Sequence, residues 1–328
     1  MMMEEGTGSD RLPALVEGVR ARRVRDIARA ITMVENQGAM GRALVDSLAA
    51  VTSHRSRTIG LTGAPGVGKS TMTAALIAAY RERGSSVGVL AVDPSSPFSG
   101  GALLGDRIRM QSHSSDQDVF IRSMASRGHL GGLAATAGQV LRVFDAAGFD
   151  VVLIETVGVG QSEVEIAAAA DTTVVLVAPG MGDGIQAAKA GILEIGDVFV
   201  VNKADREGAQ STARDLRQMI AMAKDSTESP WVSPVTVAVA STGEGITDVV
   251  GAIDSHYDWA TGSGELARRR ERRAREEIVS ELVRMVRTRV TTAPIGETLA
   301  SAERALAQGS VSVYAAAEQL WQRLRQQD

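Results

Sequence analysis

The stretch RTIGLTGAPGVGKSTMTAALIAAYRERG, Arg57 to Gly84, decides the fold. It opens as an apolar run with β-branched residues, bends through Gly63, Gly66 and Gly68, and continues at helical spacing. Gly63, Ala64, Pro65, Gly66, Val67, Gly68, Lys69 and Ser70 match G-x-x-x-x-G-K-[ST] in full, with the strand before and the helix after that this pattern requires. Glycines let the loop curl so that successive N–H groups point inward at phosphate oxygens, and the helix N-terminus adds its partial positive charge. Lys69 is placed to neutralise β- and γ-phosphates, and Ser70 to offer its hydroxyl to Mg²⁺. Thr71, next along the helix, is grouped with these nucleotide-binding residues.

Outward from this loop, β-branched runs alternate with longer helical patterns: RTIGLTG, SVGVLAVD, DVVLIETVG, TTVVLVAP, VFVVNKAD and PVTVAVAS. Near-continuous apolar strands separated by helices predict a doubly wound α/β domain, a mainly parallel sheet covered on both faces. Helical spacing from Leu12 to about Ala50 predicts two or more helices before the first strand. A Gly/Ser hinge near residues 260–264 leads into LARRRERRAREEIVSELVRMVRTRV and further helix. The expected division is a helical segment over 1–53, a nucleotide-binding domain over 54–260 and a helical region over 261–328. The arginine run, interleaved with glutamates, reads as a solvated helix face. Ile278, Leu282, Met285 and Val286 form a stripe suited to helix packing within the chain or between two chains.

VVLIETVGVGQSEVE, Val151 to Glu165, ends a second buried strand in an acidic residue. In a fold of this kind that carboxylate, Glu155, stands beside the phosphate loop and helps hold the metal. Gly158 completes an acidic-x-x-Gly pattern whose backbone N–H can approach the γ-phosphate, and Ser162 with Glu165 makes a capping box. Where many GTPases place a glutamine to orient the attacking water, this chain has Val159, with Gln161 two residues on. Slow intrinsic hydrolysis, completed by a partner or a rearranged loop, is the expectation.

The base is read further along. Asn202-Lys203-Ala204-Asp205 is an N-K-x-D motif at a strand end. Guanine offers N1–H and N2–H₂ as adjacent donors to one carboxylate, so Asp205 selects guanine, while the Lys203 stem covers the base plane and Asn202 pins neighbouring loops. A site built for a polar edge rejects the wrong base by as much as ~10⁴-fold. Ala240, Ser241 and Thr242 follow the last strand, where backbone N–H groups face guanine O6 in such folds.

Composition removes other classes. The net charge of −4, with both signs interspersed, argues against a nucleic-acid surface or a polybasic membrane patch. No cysteine is present, which excludes disulfides and thiolate metal sites and fits a cytoplasmic setting. No run approaches the ~18 apolar residues of a membrane span. The four histidines, His54, His113, His129 and His256, show no metal-ligand spacing and read as surface or capping residues.

GLTGAPGVGKST, VLAVDPSSPFSGGALLGDRIRM, ETVGVGQSE, GDGIQAAKAGILEIGD and VNKAD together resemble the MeaB/ArgK family of P-loop GTPases, chaperones of adenosylcobalamin-dependent acyl-CoA mutases such as methylmalonyl-CoA mutase. The resemblance implies a homodimer joined by carboxy-terminal helices and a GTP cycle that gates cofactor loading and protects or reactivates the mutase. It also implies that Asp93 and Asp106 join Glu155 around Mg²⁺, that Arg109 approaches the phosphates, and that Asp183, Gln186 and Lys189 relay nucleotide state. The chain departs from the family pattern at SPFSGG, GDRIRM and Val239. Two alternatives share the fold: a nickel-type metallochaperone GTPase, expected to carry a His-rich tail or Cys-His cluster, and a nucleotide-dependent kinase linked to basic amino-acid transport.

Overall fold

The structure, a computed structural model, describes residues 8–36, 38–52, 55–94, 116–126, 132–156, 168–180, 192–224, 230–292 and 295–326. Among them, seven strands form one sheet: β1 (Arg57–Gly63), β2 (Val87–Pro94), β3 (Val119–Ser126), β4 (Val151–Thr156), β5 (Thr172–Val177), β6 (Val198–Asn202) and β7 (Val235–Ala238). Their order is β3-β2-β4-β1-β5-β6-β7, and every neighbouring pair is parallel. All strands therefore end on the same edge, and β1, with the phosphate loop at its end, lies between β4 and β5.

Period-two alternation divides the strand side chains between two layers. Val152 and Ile154 of β4 join Leu90 and Val92 of β2 in one cluster, whereas Val151, Leu153, Val89 and Ala91 belong to the other. The first layer is completed by three leading helices, α1 (Gly8–Arg20), α2 (Val24–Glu35) and α3 (Ala39–Val51), and by the helix before β4, α5 (Gly132–Ala147). In α2, Ile27, Ala30, Ile31 and Val34 recur at helical spacing and are all buried. The second layer contains α4 (Lys69–Glu82) and α7 (Ile246–Gly262), while α6 (Ala209–Lys224) covers Val175, Phe199 and Val201. Burying each such Val, Leu, Ile or Phe contributes roughly 1.5–3 kcal/mol, so this core fixes the sheet that carries the loops.

After α7 the chain breaks at Gly264 (φ 74°) and enters α8 (Glu265–Thr291), followed by α9 (Ile295–Ala307) and α10 (Val313–Arg325). Two compact units are distinguished, one up to Arg273 and one from Ala274 on. Within the second, α9 and α10 pack on each other. Ile278, Leu282, Met285 and Val286 are exposed.

Three expectations need correction. Strand β3, VFIRSMAS, is absent from the six segments predicted; it is an edge strand whose Arg122 reaches out to Glu35 and Thr32, so its pattern is not that of a buried strand. His256 is fully buried in α7, not a surface or capping residue: its Nδ1 lies 2.9 Å from Thr172 Oγ1 and its Nε2 3.2 Å from Asp197 Oδ1, between Trp231 and Trp259. The other three histidines lie outside the described residues.

The third correction concerns the arginine run. Arg268 and Arg272 are exposed and pair with Glu265, as a solvated face requires. Arg269, Arg270 and Arg273 instead turn to two buried carboxylates, Asp171 before β5 and Asp197 before β6. Arg270 donates to both oxygens of Asp171 (3.1 and 2.6 Å), and Arg269 to both of Asp197 (2.8 Å each). Charge-assisted, fork-shaped pairs suit guanidinium geometry. A linear pattern could not foresee them, because the carboxylates come from strand starts distant in sequence.

Candidate nucleotide site

The phosphate loop leaves β1 at Gly63, whose Cα pairs in register with Leu176 of β5. Pro65 and Gly66 are exposed, whereas Val67, Lys69 and Ser70 are buried, and Ala64 and Thr71 are half-buried. Gly68 caps α4 with φ 96°, and a Cβ there would come within 2.5 Å of Asn202 Nδ2. Glycine is required twice over, by left-handed backbone and by close approach. Lys69 Nζ donates to the loop's own carbonyls, Gly63 at 2.7 Å and Ala64 at 3.2 Å, which places the ammonium inside the loop's curl.

Glu155 is the next-to-last residue of β4, its Cα in register with Leu61 of β1 and Ala91 of β2. It is completely buried, with Oε1 accepting from Ser70 Oγ at 2.6 Å and Oε2 from Thr73 Oγ1 at 2.8 Å. The hydroxyl that the loop pattern assigns to a metal thus meets the strand-borne carboxylate. Together they form a set of hard oxygen donors that fits Mg²⁺. Asp93 is the next-to-last residue of β2, one beyond Val92, which pairs with Thr156, so its backbone reaches the same edge. The Asp93 side chain, and all of Asp106, Arg109, Gly158, Asp183, Gln186 and Lys189, lie outside what is described.

The N-K-x-D turn is fastened to the phosphate loop. Asn202 Nδ2 donates to Val67 O at 2.8 Å and its Oδ1 accepts from Ala240 N at 3.1 Å, tying three loops through one side chain. Lys203 has φ 58°, rare for a residue with a Cβ, and its Nζ donates to Gly66 O at 2.5 Å. Its stem therefore spans the gap between the two loops. Asp205 follows in the same turn and is exposed. In the last loop, Ala240 N is engaged by Asn202 and Thr242 N by Val239 O, while Ser241 is exposed with no N–H partner among the described residues. Ser241 is thus the position of the three with a backbone donor to spare.

Two features escaped sequence reading. Thr73 has no place in the loop pattern, yet it lies one turn after Ser70, and that spacing was the available signal. At the opposite edge of the sheet, Asp197 is buried among His256, Arg269 and the Thr173 N–H. Burial alone raises a carboxyl's pKa, but His256 and Arg269 outweigh it and hold Asp197 below its usual range. Among the described residues, no group of three or more His, Cys, Asp or Glu could hold a metal.

A glycine loop on a helix N-terminus, a strand-end carboxylate and an N-K-x-D turn at the carboxyl edge of a parallel sheet define a P-loop guanine-nucleotide hydrolase. The chain belongs to the family described as methylmalonyl Co-A mutase-associated GTPase MeaB, which matches residues 27–295. It is a GTPase. It is similar to a protein of Pyrococcus horikoshii that bears the name of a GTPase, 45% identical over 277 residues, 84% of this chain and 87% of that one. It is also similar to the methylmalonic aciduria type A homolog, mitochondrial, of Mus musculus, 36% identical over 278 residues, 80% of this chain and 66% of that protein. Among solved structures, a LAO/AO transport system kinase superposes with a TM-score of 0.69 at 25% identity, covering 99% of this chain and 100% of the other. No helix among the described residues is long and apolar enough to cross a membrane.

Proposed function

We propose that this GTPase is a chaperone and regulator of an adenosylcobalamin-dependent acyl-CoA mutase, methylmalonyl-CoA mutase being the favoured partner, gating cofactor loading and protecting or reactivating the mutase. The family description supports the partner. The observation that carries the nucleotide half of the reading is Asn202, whose one side chain bonds both Val67 O and Ala240 N. Base reader and phosphate loop thus share a frame, and loss of the γ-phosphate acts on loops anchored to it.

Residues 63–71 cradle the phosphates. Lys69 exchanges its two loop carbonyls for β- and γ-phosphate oxygens, and Asp205 takes the guanine N1–H and N2–H₂ while Ser241 N–H faces O6. Ser70, Glu155, Asp93 and Asp106 are the residues that would hold Mg²⁺, which when bound neutralises charge on the β- and γ-phosphates. Gly158 N–H and Arg109 approach the γ-phosphate, and Asp183, Gln186 and Lys189 pass its presence to the partner. Val159 leaves the attacking water without the usual glutamine, so hydrolysis by the lone chain is slow.

The protein works in the cytoplasm as a homodimer, with the 261–328 region as its arm and the exposed Ile278, Leu282, Met285 and Val286 stripe as the surface it buries. The 1–53 helices and the 54–260 domain form the nucleotide-responsive part. The nickel reading finds no support in a chain without cysteine. The test is capture of the tagged full-length protein from its source cell with GDP or a non-hydrolysable GTP analogue. Co-purification of a mutase subunit in a nucleotide-dependent amount is expected; capture without any mutase in either state contradicts the proposal.

A further inference from the structure

Glu155 is completely buried, and its two oxygens are held by two different hydroxyls on α4. Ser70 Oγ takes Oε1 and Thr73 Oγ1 takes Oε2, at 2.6 and 2.8 Å. Three residues apart, both lie on one helix face. Ser70 is the hydroxyl that the loop offers to the metal, and its oxygen can meet the cation while its one proton stays on Glu155 Oε1. A buried carboxylate stripped of donors is costly. Thr73, itself completely buried, holds the second oxygen.

The chemistry of Thr73 suits a fixed hold. Its one proton has two acceptors, Glu155 Oε2 at 2.8 Å and Lys69 O at 3.1 Å. The shorter bond is charge-assisted and the stronger of the two. Glutamate has one more rotatable bond than the aspartate commoner at this strand end, so its carboxylate has more ways to turn. A second anchor determines which oxygen faces Ser70.

We propose that Thr73 is the positioning residue for Glu155, fixing Oε2 so that Oε1 stays presented to Ser70 and to Mg²⁺. The inference rests on the metal-holding role proposed above for Glu155. In the intact chain, binding of a fluorescent GDP is titrated with Mg²⁺ and repeated in EDTA, alongside steady-state hydrolysis, for Thr73→Val, Thr73→Ser, Thr73→Ala and Glu155→Gln. For Thr73→Val the expected result is GDP affinity in EDTA within about twofold of wild type, and a Mg²⁺ midpoint raised about tenfold, the lower end for residues that orient a metal's ligands. Its kcat falls with KM little changed, and Thr73→Ser restores both readouts. Should Thr73→Val fail to fold, Thr73→Ser and Thr73→Ala, which differ by one hydroxyl, carry the same comparison. An unchanged Mg²⁺ midpoint in Thr73→Val or Thr73→Ala, with Glu155→Gln shifted, overturns the role of Thr73 and leaves that of Glu155. An unchanged midpoint in Glu155→Gln overturns both.

Discussion

Replacing Arg269 with methionine separates the anchoring arginines of α8 from the solvated ones. Asp197, 7% exposed, accepts two 2.8 Å bonds from Arg269, one of 2.8 Å from Thr173 N–H, and has His256 Nε2 at 3.2 Å. Methionine keeps much of the stem's packing and removes both guanidinium bonds to Asp197, together with the longer ones to Glu265 and the Asp171 carbonyl. Breaking a buried ion pair by deleting one partner costs about 3–5 kcal/mol. Arg269 is 25% exposed and Asp197 keeps other donors, so the low end, about 3 kcal/mol, applies. For a unit of this size that corresponds to a fall in Tm of roughly 6–12 °C. The control is Arg268→Met, at a side chain 56% exposed and paired with Glu265, where less than about 1 kcal/mol is expected. Thermal unfolding of the intact chain can be followed by tryptophan fluorescence, since the Trp231 indole N–H donates to Asp197 O at 2.8 Å and reports on this cluster. Equal shifts for the two variants would refute the claim that Arg269 anchors the helix.

Asp197 also sets an acid limit. Its folded pKa lies below the ordinary carboxylate value because His256 and Arg269 outweigh burial. Its stabilisation is therefore complete above the unfolded pKa, about 3.9, and is lost as pH falls through the lower folded value. Acid unfolding monitored by circular dichroism should begin at a higher pH in Arg269→Met than in wild type; coincident curves would contradict the linkage. Gly68→Ala places a Cβ 2.5 Å from Asn202 Nδ2 at φ 96° and is expected to weaken GDP binding at least about tenfold, equivalent to the 1–3 kcal/mol of a strained backbone residue. Gly66→Ala, at φ 80° with open space around it, meets only the backbone penalty and should weaken binding less. Fluorescent-GDP titration of both variants decides the order, and equal losses would remove the role given to the Asn202 contact.

The sequence made the nucleotide edge legible because its requirements are local. A phosphate loop needs glycines, a lysine and a hydroxyl within eight residues, and a base-reading turn needs four. Six strands were legible from their apolar runs. The seventh, β3, was not, because Arg122 on an edge strand finds Glu35 on α2 and breaks the apolar run. What also stayed hidden was pairing between distant residues. Arg269 and Arg268 are adjacent and chemically identical, yet one meets buried Asp197 and the other exposed solvent, a difference set by helix phase against the sheet edge. His256 looked like any isolated histidine until α7 placed it against Thr172 and Asp197. Thr73 was silent for the same reason, its meaning arising only when β4 brings Glu155 beside α4.

The central claim, that the loop at residues 63–71 and the Asn202–Asp205 turn act as one guanine-nucleotide site, is tested most directly by titration calorimetry of the intact chain with Mg²⁺ and GTP, GDP or ATP. The account predicts saturable heats for both guanine nucleotides and an ATP affinity weaker by up to ~10⁴-fold, since the groups that meet guanine's polar edge find no match on adenine. Equal binding of ATP and GTP, or no binding of either by the folded protein, would contradict it.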